Sequence, residues 1–340
     1  MADVGPHAAR VVVAEVGDRF AITVDGALWS PGPDQTLCDQ LVYVLLRASL
    51  DAHPERLHLH CGGVSWRGRG VLLGGLAGSG KSTLTVHLVE QGFDYATDER
   101  VAVRSDLRLV PFTRPISLAE GSFPVLAHLD PRRTGAGSAS ARLWHVPASA
   151  VRAGSVRTDL SPVALVFVRR EERPGAELTP LHPVEAVRLL LSDSADVARF
   201  GAAAVPLAAR LCASLQCGRL VFGDERAAAD RLREALEGPP RPAMEVHRLA
   251  GSSTSRAGPG AARGVSGVVV GDRCVLHRAA TGEIIELDRV MSVWFQLFDG
   301  RTPLTQLVGE VAEANDLPYD EVMGLASAVL QQLVEIGVAR

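Results

Sequence analysis

Gly75-Leu76-Ala77-Gly78-Ser79-Gly80-Lys81-Ser82-Thr83 decides how this chain is read, because it is a complete G-x-x-x-x-G-K-[ST] phosphate-binding loop. Its flanks fit the motif. Residues 70–74 read as a short buried strand, and residues 82–91 read as a helix with Leu84 and Leu88 one turn apart and Gly92 placed to cap its end. Glycines let successive backbone N–H groups turn toward a polyphosphate at a helix N-terminus, where the helix dipole favours an anion. Gly75, Ala77, Gly78, Ser79, Gly80 and Thr83 are thus the expected cradle. Lys81 is expected to reach the β- and γ-phosphates, and Ser82 to ligate Mg²⁺. A glycine-rich turn without ligand is the plainer reading, and the strand–loop–helix context outweighs it.

Bulk properties set limits around this loop. With 340 residues, 47% hydrophobic and 22% charged, the chain has room for two globular domains. A formal net charge of −4 gives no global basic field for nucleic acid. Alanine, arginine and glycine are abundant while lysine is nearly absent, so Lys81 stands out locally. Cys38, Cys61, Cys212, Cys217 and Cys274 are odd in number, scattered and without a C-x-x-C pair, which points to buried thiols rather than disulfides or zinc. No signal peptide and no run of apolar residues long enough to span a membrane is seen, so a cytoplasmic protein without a membrane partner is expected.

Outward from the loop, residues 10–16 and 19–24 alternate as strands, with Asp25-Gly26 as a turn pair. Leu41, Val42, Leu45, Leu46 and Leu50 fall at helical spacing. Residues 57–60 and 63–66 read as strands, and Asp98-Glu99 stand at the end of another. Residues 107–112 suggest a further strand, 132–140 a mobile surface loop, and 162–168 the clearest buried strand. Helices are expected over 183–191 and 226–236. Residues 239–263 are dense in Pro, Gly, Ser and Ala and read as a flexible linker. It separates a domain of residues 1–238 from one of residues 264–340. In the latter, three strand-like runs precede three helices, the last with Val322, Leu325, Val329, Leu330 and Leu333 as its apolar stripe.

A phosphate loop alone says nucleotide and little more. The strand over 162–168 ends in Arg169-Arg170 rather than in an Asp for Mg²⁺, and neither a guanine-reading N-K-x-D motif nor L-S-G-G-Q is present. The acidic pair Asp98-Glu99 follows Lys81 by one helix and one short strand, a spacing that can return it to the phosphates.

The run from His60 to Glu99 resembles the bacterial HPr serine kinase/phosphorylase family, in which a His precedes the loop, and an acidic pair follows its lysine, at these intervals. The resemblance implies an α/β, phosphocarboxykinase-like P-loop domain that uses ATP and Mg²⁺. It implies Asp98 as the base that takes a proton from an acceptor hydroxyl, His60 as the group that orients it, and Glu99 with Ser82 as metal ligands. Phosphoryl transfer needs these parts: positioned phosphates, a metal and a proton acceptor. The family's E-I-R-G-type segment is replaced by residues 111–118, as in divergent HPr-kinase-related proteins, which argues against phosphorylase activity and against HPr as substrate. Within that segment Arg114 is a candidate for stabilising charge on the transferring phosphoryl group, or else a surface ion pair.

Residues from about 274 onward resemble the PqqD family of peptide chaperones, through residues 294–302 and the stripe of the last helix. This implies a small α+β, winged-helix-like domain that takes the leader of a ribosomally made precursor peptide by strand addition beside an apolar groove. Together the two resemblances imply a peptide Ser/Thr kinase whose leader-holding domain concentrates the substrate at the catalytic site. A nucleotide-gated, non-catalytic peptide-presenting protein is the alternative, and a small-metabolite kinase a third. A peptide-processing enzyme of the same pathway and a homo-oligomeric state are further partner expectations.

Overall fold

The structure is a computed structural model that describes residues 10–16, 19–29, 37–140, 142–194, 197–239, 241–249 and 257–340. The chain divides into two compact units, Met1–Thr179 with Arg219–Pro239, and Pro180–Gly218 with Pro240–Arg340. The sequence boundary at Gly238 lies beside the junction at Pro239. The segment Pro180–Gly218, expected in the first domain, belongs instead to the second unit.

The first unit opens with a meander, β1 (Val11–Val16), β2 (Arg19–Val24) and β3 (Ala27–Trp29). Asp25 and Gly26 join β2 to β3 at φ 49° and 84°, both positive as a type I′ hairpin turn requires. Helix α1 (Leu37–Ala52) follows, with Gln40, Val44 and Leu46 buried; Leu45, one of the apolar residues at helical spacing, is 48% exposed. The chain then runs through β4 (Leu57–His60), β5 (Gly62–Trp66), β6 (Arg69–Gly74), α2 (Lys81–Glu90), β7 (Asp94–Thr97), β8 (Arg100–Val103), β9 (Leu109–Pro111) and β10 (Ile116–Ala119). The expected mobile loop over 132–140 contains a single-turn helix α3 (Pro131–Thr134) and a strand β11 (Ser138–Ala139). Next come β12 (Leu143–Val146), a short α4 (Ala148–Val151), β13 (Pro162–Arg170) and β14 (Ala176–Pro180).

A six-stranded mixed sheet, ordered β14-β15-β13-β6-β5-β7, forms the backbone of this unit, with β15 at Gln216–Phe222. The helix α8 (Glu225–Glu237) packs on it with α2, through Leu84, Leu88, Leu232 and Leu236. Side chains of this size contribute about 1.5–3 kcal/mol each when fully buried. The opposite side of α2 buries Val86 and Val89 against Ile116, Leu118 and Trp144 of the small β10-β12-β11 sheet. Apolar on both sides, α2 ties the second sheet to the phosphate loop. Its end is a Schellman motif: Gly92, at φ 98°, donates to Val89 O, and Phe93 donates to Leu88 O at 3.0 Å.

The second unit holds α5 (Pro183–Ser192), α6 (Val197–Phe200), α7 (Ala204–Ala213), and an antiparallel sheet of β16 (Val246–Arg248), β17 (Val265–Val270), β18 (Arg273–Arg278) and β19 (Glu283–Glu286) in that order. Three helices follow, α9 (Arg289–Leu297), α10 (Leu304–Asn315) and α11 (Tyr319–Glu335). They close a core around Leu276, Trp294, Phe295, Val308, Val329 and Leu333. In α11 the buried positions are Val322, Ala326, Val329 and Leu333, and Leu325 is half exposed. The linker expectation is corrected in two places. β16 pairs with β17, and Gly260 and Ala261 form β-bridges to Asp299 and Ala339. The Gly251–Ser255 part of that expectation lies outside the described residues. All five cysteines are free thiols, four of them buried. Among the described residues no helix is long and apolar enough to cross a membrane.

Candidate functional site

Strand direction assembles the site. β13 runs parallel to β6, while β5 runs antiparallel to both β6 and β7. The C-terminal ends of β6, β7 and β13 therefore share one edge of the sheet, and β5 begins there. The phosphate loop leaves β6 at this edge, Asp98-Glu99 follow β7, Arg170 ends β13, and His60 ends β4 two residues before β5. Ligands of α/β sheets bind at such an edge, outside the carboxyl ends of parallel strands. Here the edge opens into a cavity of about 630 Å³.

The loop takes its shape from glycine. Gly75 sits at φ 140°, and a Cβ there would lie 2.8 Å from both the Val168 carbonyl oxygen and Ser79 Oγ. Gly80, at φ 91°, is the residue from which α2 starts. The Lys81 ammonium is buried and donates to the carbonyls of Gly75 and Leu76. It is the single lysine of the chain, whose other basic side chains are arginines. A compact, rotatable ammonium on a flexible stem suits the inside of a tight loop where a planar guanidinium does not. Residues 76–83 line the cavity; Gly75 lies behind them, contributing its carbonyl.

The acidic pair is held by the 112–114 segment, which β7 pins in place. Thr97 Oγ1 donates to Phe112 O at 2.7 Å, Thr113 Oγ1 to Ala96 O at 2.8 Å, and Tyr95 Oη to Arg114 O at 2.6 Å. Arg114 is thereby aimed at the carboxylates, paired with Glu99 and 3.8 Å from Asp98 Oδ2. Asp98 is buried, and its Oδ2 accepts from the Ser117 N–H at 2.9 Å. Burial pushes its carboxyl above the ordinary range, opposed by Arg114, the Ser117 N–H and the nearby Ser82 hydroxyl. Asp98 Oδ1, Ser79 Oγ and Arg114 Nε are buried without hydrogen-bond partners. Leaving such atoms unpaired costs about 1–3 kcal/mol each, and all three belong to residues that line the cavity, where a ligand or water would pair with them.

His60 lines the same cavity, as do Lys81, Ser82, Asp98, Glu99 and Arg114. The site thus gathers every residue expected from the sequence except Gly75, which supports it from behind. It also includes residues that sequence reasoning missed. His145, on β12, is buried with Nε2 2.6 Å from Asp39 Oδ1 of α1 and Nδ1 3.0 Å from Ser117 Oγ of β10. Ser117 Oγ also accepts from Arg114 Nη1 at 2.9 Å. Burial holds the His145 imidazole below its ordinary pKa, with Asp39 opposing. Arg170 lines the cavity too, its backbone N–H bound to Ser79 O and its Nε paired with Glu225 at 3.0 Å. The parallel strand end at Arg170 is a signal legible in sequence; Asp39 and His145 lie 106 positions apart and give none.

The residues fit a nucleotide polyphosphate and a divalent cation. Residues 76–83 line the cavity, and a buried carboxylate oxygen with no partner belongs to Asp98, near the Ser82 hydroxyl. Among the described residues no cluster of three or more His, Cys, Asp or Glu is positioned to hold a metal by itself. A cation here would draw on Ser82, the acidic pair and the phosphates together.

In class, the first unit is a mixed α/β fold with a phosphate loop at the carboxyl edge of its sheet. No protein-family model matches the chain, and no curated protein matches it. Among solved structures it is similar to the HPr(Ser) kinase/phosphatase from Coxiella burnetii, at 11% identity over 52% of this chain and 89% of that one, with a TM-score of 0.28. A likeness of that size carries no argument, and the reading of the site rests on its own geometry.

Proposed function

We propose that the chain is an ATP-dependent kinase that transfers the γ-phosphoryl group to a Ser or Thr hydroxyl of a ribosomally made precursor peptide. The observation that carries the reading is Asp98: a buried carboxylate with one unpartnered oxygen and a raised pKa, in the same cavity as the phosphate loop. A buried carboxylate whose pKa is raised is a stronger base than an ordinary one, and so is suited to accept the proton of an attacking hydroxyl. His60 borders the same space and is the proposed orienting group. The loop amides and Lys81 would hold the phosphates, and Ser82 with Glu99 a Mg²⁺ ion. The ion supplies charge neutralisation on the phosphates. Arg114, freed from Glu99, would face the transferring group as a guanidinium counter-charge.

For the substrate, the proposal places a leader peptide on the second unit. There β19 is an edge strand beside a hollow of about 440 Å³ lined by Ile284, Ile285 and Met291 together with the charged Arg188, Glu283, Glu286 and Asp288. An edge strand with a side-chain pocket beside it is what strand addition uses. The second reading, a nucleotide-gated peptide-presenting protein, draws on the hold of Arg114 on both carboxylates. Incubation with ATP, Mg²⁺ and the leader-bearing peptide, followed by mass spectrometry, separates the two. Transfer that disappears in Lys81→Ala supports the kinase; tight peptide and ATP binding with no phosphate moved supports the presenter.

A further inference from the structure

The cavity holds a second constellation that the kinase reading does not use: Ser117, His145 and Asp39. Hydrogen-bonding capacity fixes its polarity. The Asp39 carboxylate only accepts, so His145 Nε2, 2.6 Å away, carries the proton. Nδ1 is then the acceptor, and the Ser117 hydroxyl, 3.0 Å away, donates to it. Arg114 Nη1 donates to the same hydroxyl oxygen at 2.9 Å, where it would stabilise negative charge developing there. A hydroxyl, a neutral imidazole base and a carboxylate that orients it are the parts of an activated serine nucleophile, recognised by geometry rather than by order in the chain. Ser117 is only partly buried and, with Asp39 and His145, borders the cavity that the phosphate loop opens into.

We propose that Ser117 is itself a phosphoryl acceptor, so that the protein phosphorylates its own β10 from the nucleotide held by the loop. This rests on the nucleotide reading of the loop above. In the step, Ser117 Oγ forms a bond to the γ-phosphorus while its proton passes to His145 Nδ1. The bond from the γ-phosphorus to the bridging oxygen breaks, and ADP leaves with that electron pair. The imidazolium, held by Asp39, then gives its proton to solvent. His145 contacts the reacting oxygen and is catalytic; Asp39 acts through it and is a positioning residue. A phosphoryl group on Ser117 would take Arg114 as its counter-ion and draw it from Glu99 and Asp98.

The test uses the full chain with ATP and Mg²⁺ and no peptide, read by site-localised mass spectrometry beside a direct measurement of ATP binding. The expected result is one phosphoryl group on Ser117, absent in Ser117→Ala and carried on threonine in Ser117→Thr. Ser117→Ala keeps the backbone N–H that holds Asp98, so its loss of labelling is not a loss of the site. Asp39→Asn is expected to lower the first-order rate of Ser117 phosphorylation by about 10²–10⁴-fold, with a much smaller change in the ATP concentration that gives half the maximal rate. ATP bound with no phosphate at position 117 overturns the proposal and leaves the nucleotide reading standing. Equal labelling rates in wild type and His145→Gln overturn the proposed base. Failure to bind ATP at all overturns both readings.

Discussion

At the scale of single residues, the site is organised by what Arg114 touches. One guanidinium reaches Glu99, Asp98 and the Ser117 hydroxyl, so two acidic residues and a serine share one cation at the cavity wall. Asp98 sits there at a cost in stability. Its carboxyl is raised in the folded state, so the folded protein holds its proton more tightly than the unfolded chain does. The associated stability is present below the ordinary carboxylate pKa and is lost as pH rises through the raised value. At neutral pH, Asp98→Asn is therefore expected to stabilise the first unit, raising Tm by about 2–4 °C for each kcal/mol relieved. The gain should shrink as pH falls through the carboxylate range, which thermal melts of the two proteins across pH would show. A variant less stable than wild type at neutral pH would mean that the charge is compensated.

At the scale of elements, much of the site was legible in the sequence because it follows from local rules. Strand, loop and helix around Lys81 are fixed by glycines and by apolar runs, and the return of Asp98-Glu99 follows from one helix plus one strand. His60 falls into place because β5 runs against β6. What stayed hidden is non-local or lacks a pattern. Helix α7 buries eight of its ten residues, so no polar face gives it a period to read. Strand β16 lies in a Pro- and Gly-rich stretch whose composition argues for a linker. The meeting of Asp39 with His145 is made by tertiary packing alone. The loop itself gives the element-scale prediction. Gly75→Ala adds a Cβ 2.8 Å from the Val168 carbonyl at a positive φ. ATP affinity should fall at least tenfold (about 1.4 kcal/mol) while circular dichroism stays that of the wild type. Titration with ATP checks both halves, and unchanged affinity would show that the loop does not set the phosphate position.

At the scale of the whole molecule, the order of the chain and the order of the units differ. The polypeptide leaves the first unit after Thr179, builds α5, α6 and α7 in the second, and returns at Arg219 within β15. The core of the second unit therefore depends on both segments: α5 contacts β18 and β19, and α7 contacts β16 and β17. A chain ended at Pro239, the boundary composition suggests, would leave the apolar surface of Val184, Leu190, Val205 and Leu211 without its sheet. Such a truncated chain is expected to bind a hydrophobic dye and aggregate, whereas the full chain stays in solution; a well-behaved truncated chain would show that α5 and α7 are held by the first unit. The central claim concerns what happens at the edge where the loop and the acidic pair meet. It is tested most directly by single-turnover transfer from γ-labelled ATP to a leader-bearing peptide, comparing wild type with Asp98→Asn. The account predicts label on a peptide Ser or Thr and a rate reduced by about 10²–10⁴-fold in the variant, and transfer at the wild-type rate without the carboxylate would contradict it.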